Sequence, residues 1–150
     1  MRDLRIYCIS LLLLPVLGAS FVSASEVIEL TQTSCQFIEA ENGVDHHYNK
    51  LSAHDCEQLN DATSARRLDK ATALHVKAGD YVFRVKNRDV PYTLGFWLRG
   101  AGFSRLTLPS VSGGGIGRGQ TQDYTIALER GEYRYSCPLN PTPDYILIVE

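Results

Sequence analysis

Apolar and polar residues alternate with a period of two through much of this chain. Across residues 131–137, Tyr133, Tyr135 and Cys137 share one face and Glu132, Arg134 and Ser136 the other, which predicts a half-buried strand with its cysteine pointing inward. Residues 121–128 repeat the alternation through Tyr124, Ile126 and Leu128, and residues 145–149 are apolar enough to form a closing strand. Residues 27–32 predict a first strand with Cys35 just past its end. Residues 73–76 and 81–86 flank the turn Lys77-Ala-Gly-Asp80 and read as a strand pair. Residues 92–98 form another strand, in which one of the adjacent rings of Phe96 and Trp97 must face outward. Residues 103–108 read as one more. The glycine run 113–119 reads as a flexible or bulged hairpin loop, and not as a phosphate cradle, because a strand rather than a helix follows it. Pro138, Pro141 and Pro143 remove backbone donors and make residues 139–144 a rigid connector.

One stretch carries a helical period. Ser52-Ala-His-Asp55 has the form of a capping box, and Cys56, Leu59, Ala62, Ala65 and Leu68 are spaced for one apolar face. That seam is thin, so a short surface helix over residues 52–68 is expected, broken near Asn60-Asp61, with Cys56 inward. It lies in a polar segment, residues 39–71, that reads as an insertion and also holds the loop pair His46-His47. About seven or eight strands with a turn roughly every ten residues make the fold class an all-β sandwich of one domain, residues 25–150.

The N-terminus changes the picture of compartment. Arg2 and Arg5 precede an apolar run over residues 6–17, and Val22-Ser23-Ala24 suits a signal peptidase, so residues 1–24 read as a secretory signal. The run is shorter than the roughly 20 residues a spanning helix needs, and no membrane span is expected after it. The chain has 150 residues and a formal net charge of −2, so nothing attracts nucleic acid. Export to the periplasm implies an oxidising environment. Cys8 leaves with the signal, and Cys35, Cys56 and Cys137 remain, enough for one disulfide and one leftover thiol.

The run Gly131-x-Tyr133-x-Tyr135-x-Cys137-Pro138, a short loop and a terminal β-branched strand resemble the C-terminal copper-loop hairpin of the cupredoxins. A second stretch supports the likeness: residues 81–87 end in Asn87, and Pro91 precedes an apolar strand. The resemblance covers roughly residues 74–150 and implies a Greek-key sandwich. Carried over by position, Asn87 and Pro91 match and Cys137 stands as the copper cysteine. Tyr92 occupies the place of the first histidine, Asn140 that of the second, and the axial position falls near Tyr145. A trigonal copper site needs two imidazoles and a thiolate, so these are degenerate copper-site positions. The chain is also similar to the EfeO-type cupredoxin-like domains of periplasmic iron-uptake systems, which share the Gly-Glu-Tyr ending and an early cysteine placed like Cys35. In those domains the early and late cysteines can be joined.

Two disulfides therefore compete: Cys35 with Cys56, or Cys35 with Cys137. If Cys137 is left over, His46, His47 or His54 could approach it and build a Cys/His metal site, with Tyr92, Asp55 or Glu57 as harder donors. His75 is expected to face solvent, and Tyr92, Tyr133, Tyr135 and Tyr145 to converge on the cysteine end. No serine, histidine and acid pattern assembles a nucleophile, so no enzyme is expected. The resemblance implies copper or iron handling or electron transfer with a periplasmic redox or transport partner. The competing expectation is a metal-free accessory module stabilised by a disulfide.

Overall fold

Among the described residues, nine strands make two sheets packed face to face. The computed structural model describes residues 25–150; the signal expected over residues 1–24 lies outside them. The first sheet has the order β2-β1-β4-β7, from β1 (Glu26–Thr33), β2 (Gln36–Phe37), β4 (Gly79–Asn87) and β7 (Thr121–Leu128). The second has the order β3-β9-β8-β5-β6, from β3 (Leu74–Val76), β5 (Leu94–Gly100), β6 (Val111–Ile116), β8 (Gly131–Ser136) and β9 (Tyr145–Val149). Strands β1 and β4 run parallel, as do β3 and β9; the other pairs are antiparallel. This is the expected all-β sandwich.

Alternation places the core. On β4 the residues Tyr81, Phe83, Val85 and Asn87 are buried, and on β7 Tyr124, Ile126 and Leu128 are. On β8 Tyr133 and Tyr135 point inward, followed by Cys137 at 1% exposure. Phe96 is the inward member of its pair; Trp97 is half-buried on the other face, under the Arg99 guanidinium 3.9 Å from its ring centre. Phe37 sits at the middle of the aromatic core, edge-on to Phe96, Tyr135 and Tyr145 at 6.2, 5.5 and 6.0 Å. Such pairs add about 1 kcal/mol each beyond the area they bury.

Several elements differ from their expectation for identifiable reasons. Residues 73–76 and 81–86 do not pair: β3 lies beside β9 and β4 beside β1 and β7, so residues 77–78 carry the chain from one sheet to the other. Residues 103–108 are no strand, because Gly102–Leu106 winds as a 3₁₀ turn leaving Phe103 and Leu106 exposed. Most of the glycine run is the strand β6, paired with β5. A Cβ on Gly113 would stand 2.9 Å from the Tyr124 ring, which lies across this strand and donates its hydroxyl to the Gly113 carbonyl at 3.3 Å. Glycine here makes room for a core tyrosine.

The helix α1 (Ala53–Lys70) is unbroken and starts where the capping box places it. The Ser52 hydroxyl accepts the Asp55 amide at 3.2 Å and donates to the Asp55 carboxylate at 2.8 Å. Its buried face is not the apolar seam read from the sequence. Cys56, Asn60 and Arg67 are buried, while Ala62 and Ala65 are exposed and Leu59 and Leu68 half-buried or better. Polar bonds and one covalent bond hold this helix to the sandwich.

Candidate functional site

Cys137 follows β8 at the end of the sandwich where β5 begins, since Trp97 of β5 pairs with Ser136. It is a free, buried thiol. Its Sγ accepts the Gly95 amide at 3.3 Å and the Asn140 amide at 3.2 Å. The Gln32 side chain stands beside it and donates to the Gly95 carbonyl at 2.8 Å. Burial pushes the thiol above its ordinary value of 9.0, and the Gly95, Asn140 and Leu139 amides with Gln32 offset only part of that push. The sulfur is therefore protonated at neutral pH.

The disulfide joins Cys35 to Cys56, with Cα atoms 5.0 Å apart. The alternative Cys35–Cys137 pairing, implied by the EfeO-type likeness, does not form. Asn140 ties the two sulfur groups together. Its amide donates to Cys137 Sγ, its Oδ1 accepts the Cys35 amide at 2.9 Å and the Tyr92 hydroxyl at 3.0 Å, and its Nδ2 donates to the Thr33 carbonyl at 2.9 Å. Cys56 Sγ lies 3.3 Å from the same Oδ1. Tyr92 and Cys137 thus share one end of the sandwich, bridged by Asn140. Burial, with smaller contributions from Cys137 and Asp55, pushes the Tyr92 phenol up to about 12, so it keeps the proton it donates.

The other candidate residues are placed elsewhere. His46 Nε2 contacts Glu41 Oε2 at 2.8 Å, His47 Nδ1 lies 3.3 Å from Asp45, and His54 lies on the outer face of α1, 3.7 Å from Glu57. Among the described residues, no three histidine, cysteine, aspartate or glutamate side chains come together to hold a metal ion. His75 is exposed beside Glu150. The tyrosines diverge. Tyr133 bonds the backbone of Glu129 at the far turn, and Tyr145 reaches Glu41 and Arg67 under α1. Tyr135 stays in the aromatic core, which leaves Tyr92 alone at Asn140.

A blue-copper ion does not fit this donor set. One soft donor is present, a thiol bound by two amides. Both side-chain atoms of Asn140 are occupied, the Tyr92 hydroxyl is turned to Asn140, and no imidazole stands among them.

A second buried polar assembly was not read from the sequence. Arg67, 6% exposed, donates to Glu41 Oε1 through Nε at 3.0 Å, to Asn60 Oδ1 at 2.6 Å, to the Cys35 carbonyl at 2.8 Å and to the Tyr145 hydroxyl at 3.2 Å. Asn60 in turn donates to the Pro141 carbonyl. Burial works against the Arg67 charge, yet its bond to Glu41 leaves it above its ordinary value. A signal existed: Cys56, Asn60 and Arg67 are spaced i, i+4 and i+11, one face of a helix. Nothing comparable marks Glu41.

No protein family matches the sequence, and no curated protein matches it. Solved structures do. Auracyanin B superposes with a TM-score of 0.52 at 11% identity, covering 89% of this chain and 96% of that one. A reduced form of an amicyanin mutant follows at 0.47 and 15% identity, covering 86% and 87%. The sandwich is therefore cupredoxin-like, with one helix inserted between β2 and β3.

Proposed function

We propose that this chain is an exported, metal-free cupredoxin-fold module that works by binding, without catalysis or electron transfer, on a frame stabilised by the Cys35–Cys56 disulfide. The observation that carries the reading is Asn140. In the place of a metal-ligating histidine it commits both side-chain polar atoms, Oδ1 and Nδ2, to joining the Cys137 loop, the end of β1 and Tyr92. Opening it to a metal would strand the buried Cys35 amide, at about 1–3 kcal/mol, and take the Nδ2 bond from the Thr33 carbonyl. Export is supported by the signal-like N-terminus and by a disulfide that suits an oxidising compartment.

A second reading is favoured by one observation: Cys137 is a free thiol at the mouth of the loop. It makes the protein a copper or iron handler serving a periplasmic redox or transport partner. Titration of the purified protein with Cu(I), Cu(II) and Fe(III), with free thiols counted before and after unfolding, separates the two. The proposed module shows no stoichiometric uptake and a single thiol that reacts only on unfolding. Tight 1:1 copper or iron binding that disappears in Cys137→Ser would replace it with the second reading.

A further inference from the structure

The segment between β2 and β3 builds a cavity of about 310 Å³ between its loop and the C-terminal turn of α1. Its floor is Arg67, neutralised by Glu41 and bonded through all three of its nitrogens. The Tyr48 ring covers that guanidinium at 5.0 Å, and the His46 ring stacks on Tyr48 at 5.3 Å with 27° between planes. Val44 and Ala71 add apolar wall. At the mouth stand Arg66 and Lys70, one helical turn apart on α1 and both exposed. Neither has an acidic partner within ion-pair distance among the described residues.

The charges make this concavity one-sided. Among the described residues, Glu41 is the one acidic side chain lining it, and that carboxylate is already bonded to Arg67, His46 and the Tyr145 hydroxyl. Arg66 and Lys70 therefore leave an unmatched positive mouth over a floor that has no acceptor to spare. A cleft of this size with apolar and ring walls and a few convergent charges suits a small molecule rather than a polymer. A concave wall also focuses the field of the mouth charges on what enters. An isolated inorganic anion would leave the Val44, Ala71, His46 and Tyr48 walls unused. A cation would meet two like charges.

We infer that this cavity binds a small organic anion, a carboxylate or phosphate monoester with a compact apolar body, whose charged end pairs with Arg66 and Lys70 while its body lies against the His46 and Tyr48 rings. The site is separate from the Cys137 end and does not depend on whether that end takes a metal.

The test is calorimetry and two-dimensional amide NMR on the protein purified from the full chain, expressed with its own N-terminus. The probes are benzoate, phenyl phosphate, inorganic phosphate and benzylamine. At least one aryl anion should saturate below about 10 mM, shifting amides of residues 44–48 and 66–71, with inorganic phosphate about tenfold weaker and benzylamine not binding. The two aryl probes distinguish carboxylate from phosphate. Arg66→Ala/Lys70→Ala, on two exposed positions that leave the fold intact, should weaken binding at least about tenfold, and Tyr48→Leu should remove the aryl preference over inorganic phosphate. Absence of saturable binding by both aryl anions, benzylamine binding as tightly as they do, or an Arg66/Lys70 variant that binds like the parent would overturn the assignment.

Discussion

Asn140 joins three backbone segments through one side chain, and its energetic weight follows from what its loss exposes. Asn140→Ala leaves the buried Cys35 amide without its partner, takes the Nδ2 bond from the Thr33 carbonyl and unseats the Tyr92 hydroxyl. The expected cost is about 3 kcal/mol in urea unfolding, and a loss below about 1 kcal/mol would show that water replaces the amide without penalty. Arg67 poses the same question with a charge. Arg67→Met takes the guanidinium from Glu41, which is 5% exposed and keeps only His46 and the Tyr145 hydroxyl, and should cost about 3 kcal/mol. Because the penalty belongs to a buried carboxylate that has lost its guanidinium, adding Glu41→Gln should recover much of it; a double variant as unstable as the sum of the singles would deny that the two side chains act as a pair. At this scale the sequence is partly legible. The period of two points Cys137 inward, and the helical spacing of Cys56, Asn60 and Arg67 puts them on one face. It could not show that Asn140 serves Cys35, since the two are 105 residues apart and meet because β1 and the β8–β9 loop share one end of the sandwich.

At the scale of elements, α1 is the exception in a molecule otherwise held by apolar faces. An 18-residue helix whose buried residues are Cys56, Asn60 and Arg67 draws little from the hydrophobic effect, and an isolated helix of that length is marginal in water. The disulfide to Cys35 should therefore matter most to this helix. Closing a loop over a separation of 21 residues contributes about 3 kcal/mol by chain entropy. In a Cys35→Ser/Cys56→Ser variant, hydrogen exchange should accelerate in α1 well before it does in β4 and β5. Uniform acceleration in helix and sheets alike would mean that α1 belongs to the same cooperative unit as the sandwich. The capping box set the start of the helix correctly because that signal is local. The apolar seam misled, because Ala62 and Ala65 fit the period of a buried face yet carry too little surface to decide which side turns in. The glycine run misled for a related reason: period and propensity describe side chains, and β6 exists to keep side chains away from Tyr124.

For the molecule as a whole, the buried thiol and phenols set an alkaline limit. Cys137 is raised above 9.0 in the fold, so above that pH the unfolded chain loses a proton that the native state keeps, and stability present at neutral pH declines as pH rises. Tyr92 and Tyr124, both pushed from 10.0 to about 12 chiefly by burial, extend the decline across that interval. Thermal unfolding midpoints should hold from about pH 6 to about 8 and then fall, with Cys137→Ser flattening the first part of the fall. A midpoint that rises between about pH 9 and 11 would contradict the burial of these groups. By itself, the sequence determined that the chain is an all-β sandwich, that Cys137 is inward, that a capped helix starts at Ser52 and that Cys35, Cys56 and Cys137 could supply one disulfide, because period, caps and cysteine parity are written in neighbouring residues. Only the tertiary structure decided which cysteines pair, where β3 and β4 part company, that His46, His47 and His54 stand away from Cys137, and that Glu41 and Arg67 floor a cavity. Each of those is a contact between residues far apart along the chain, and its geometry is fixed by how two twisted sheets stack rather than by any local pattern.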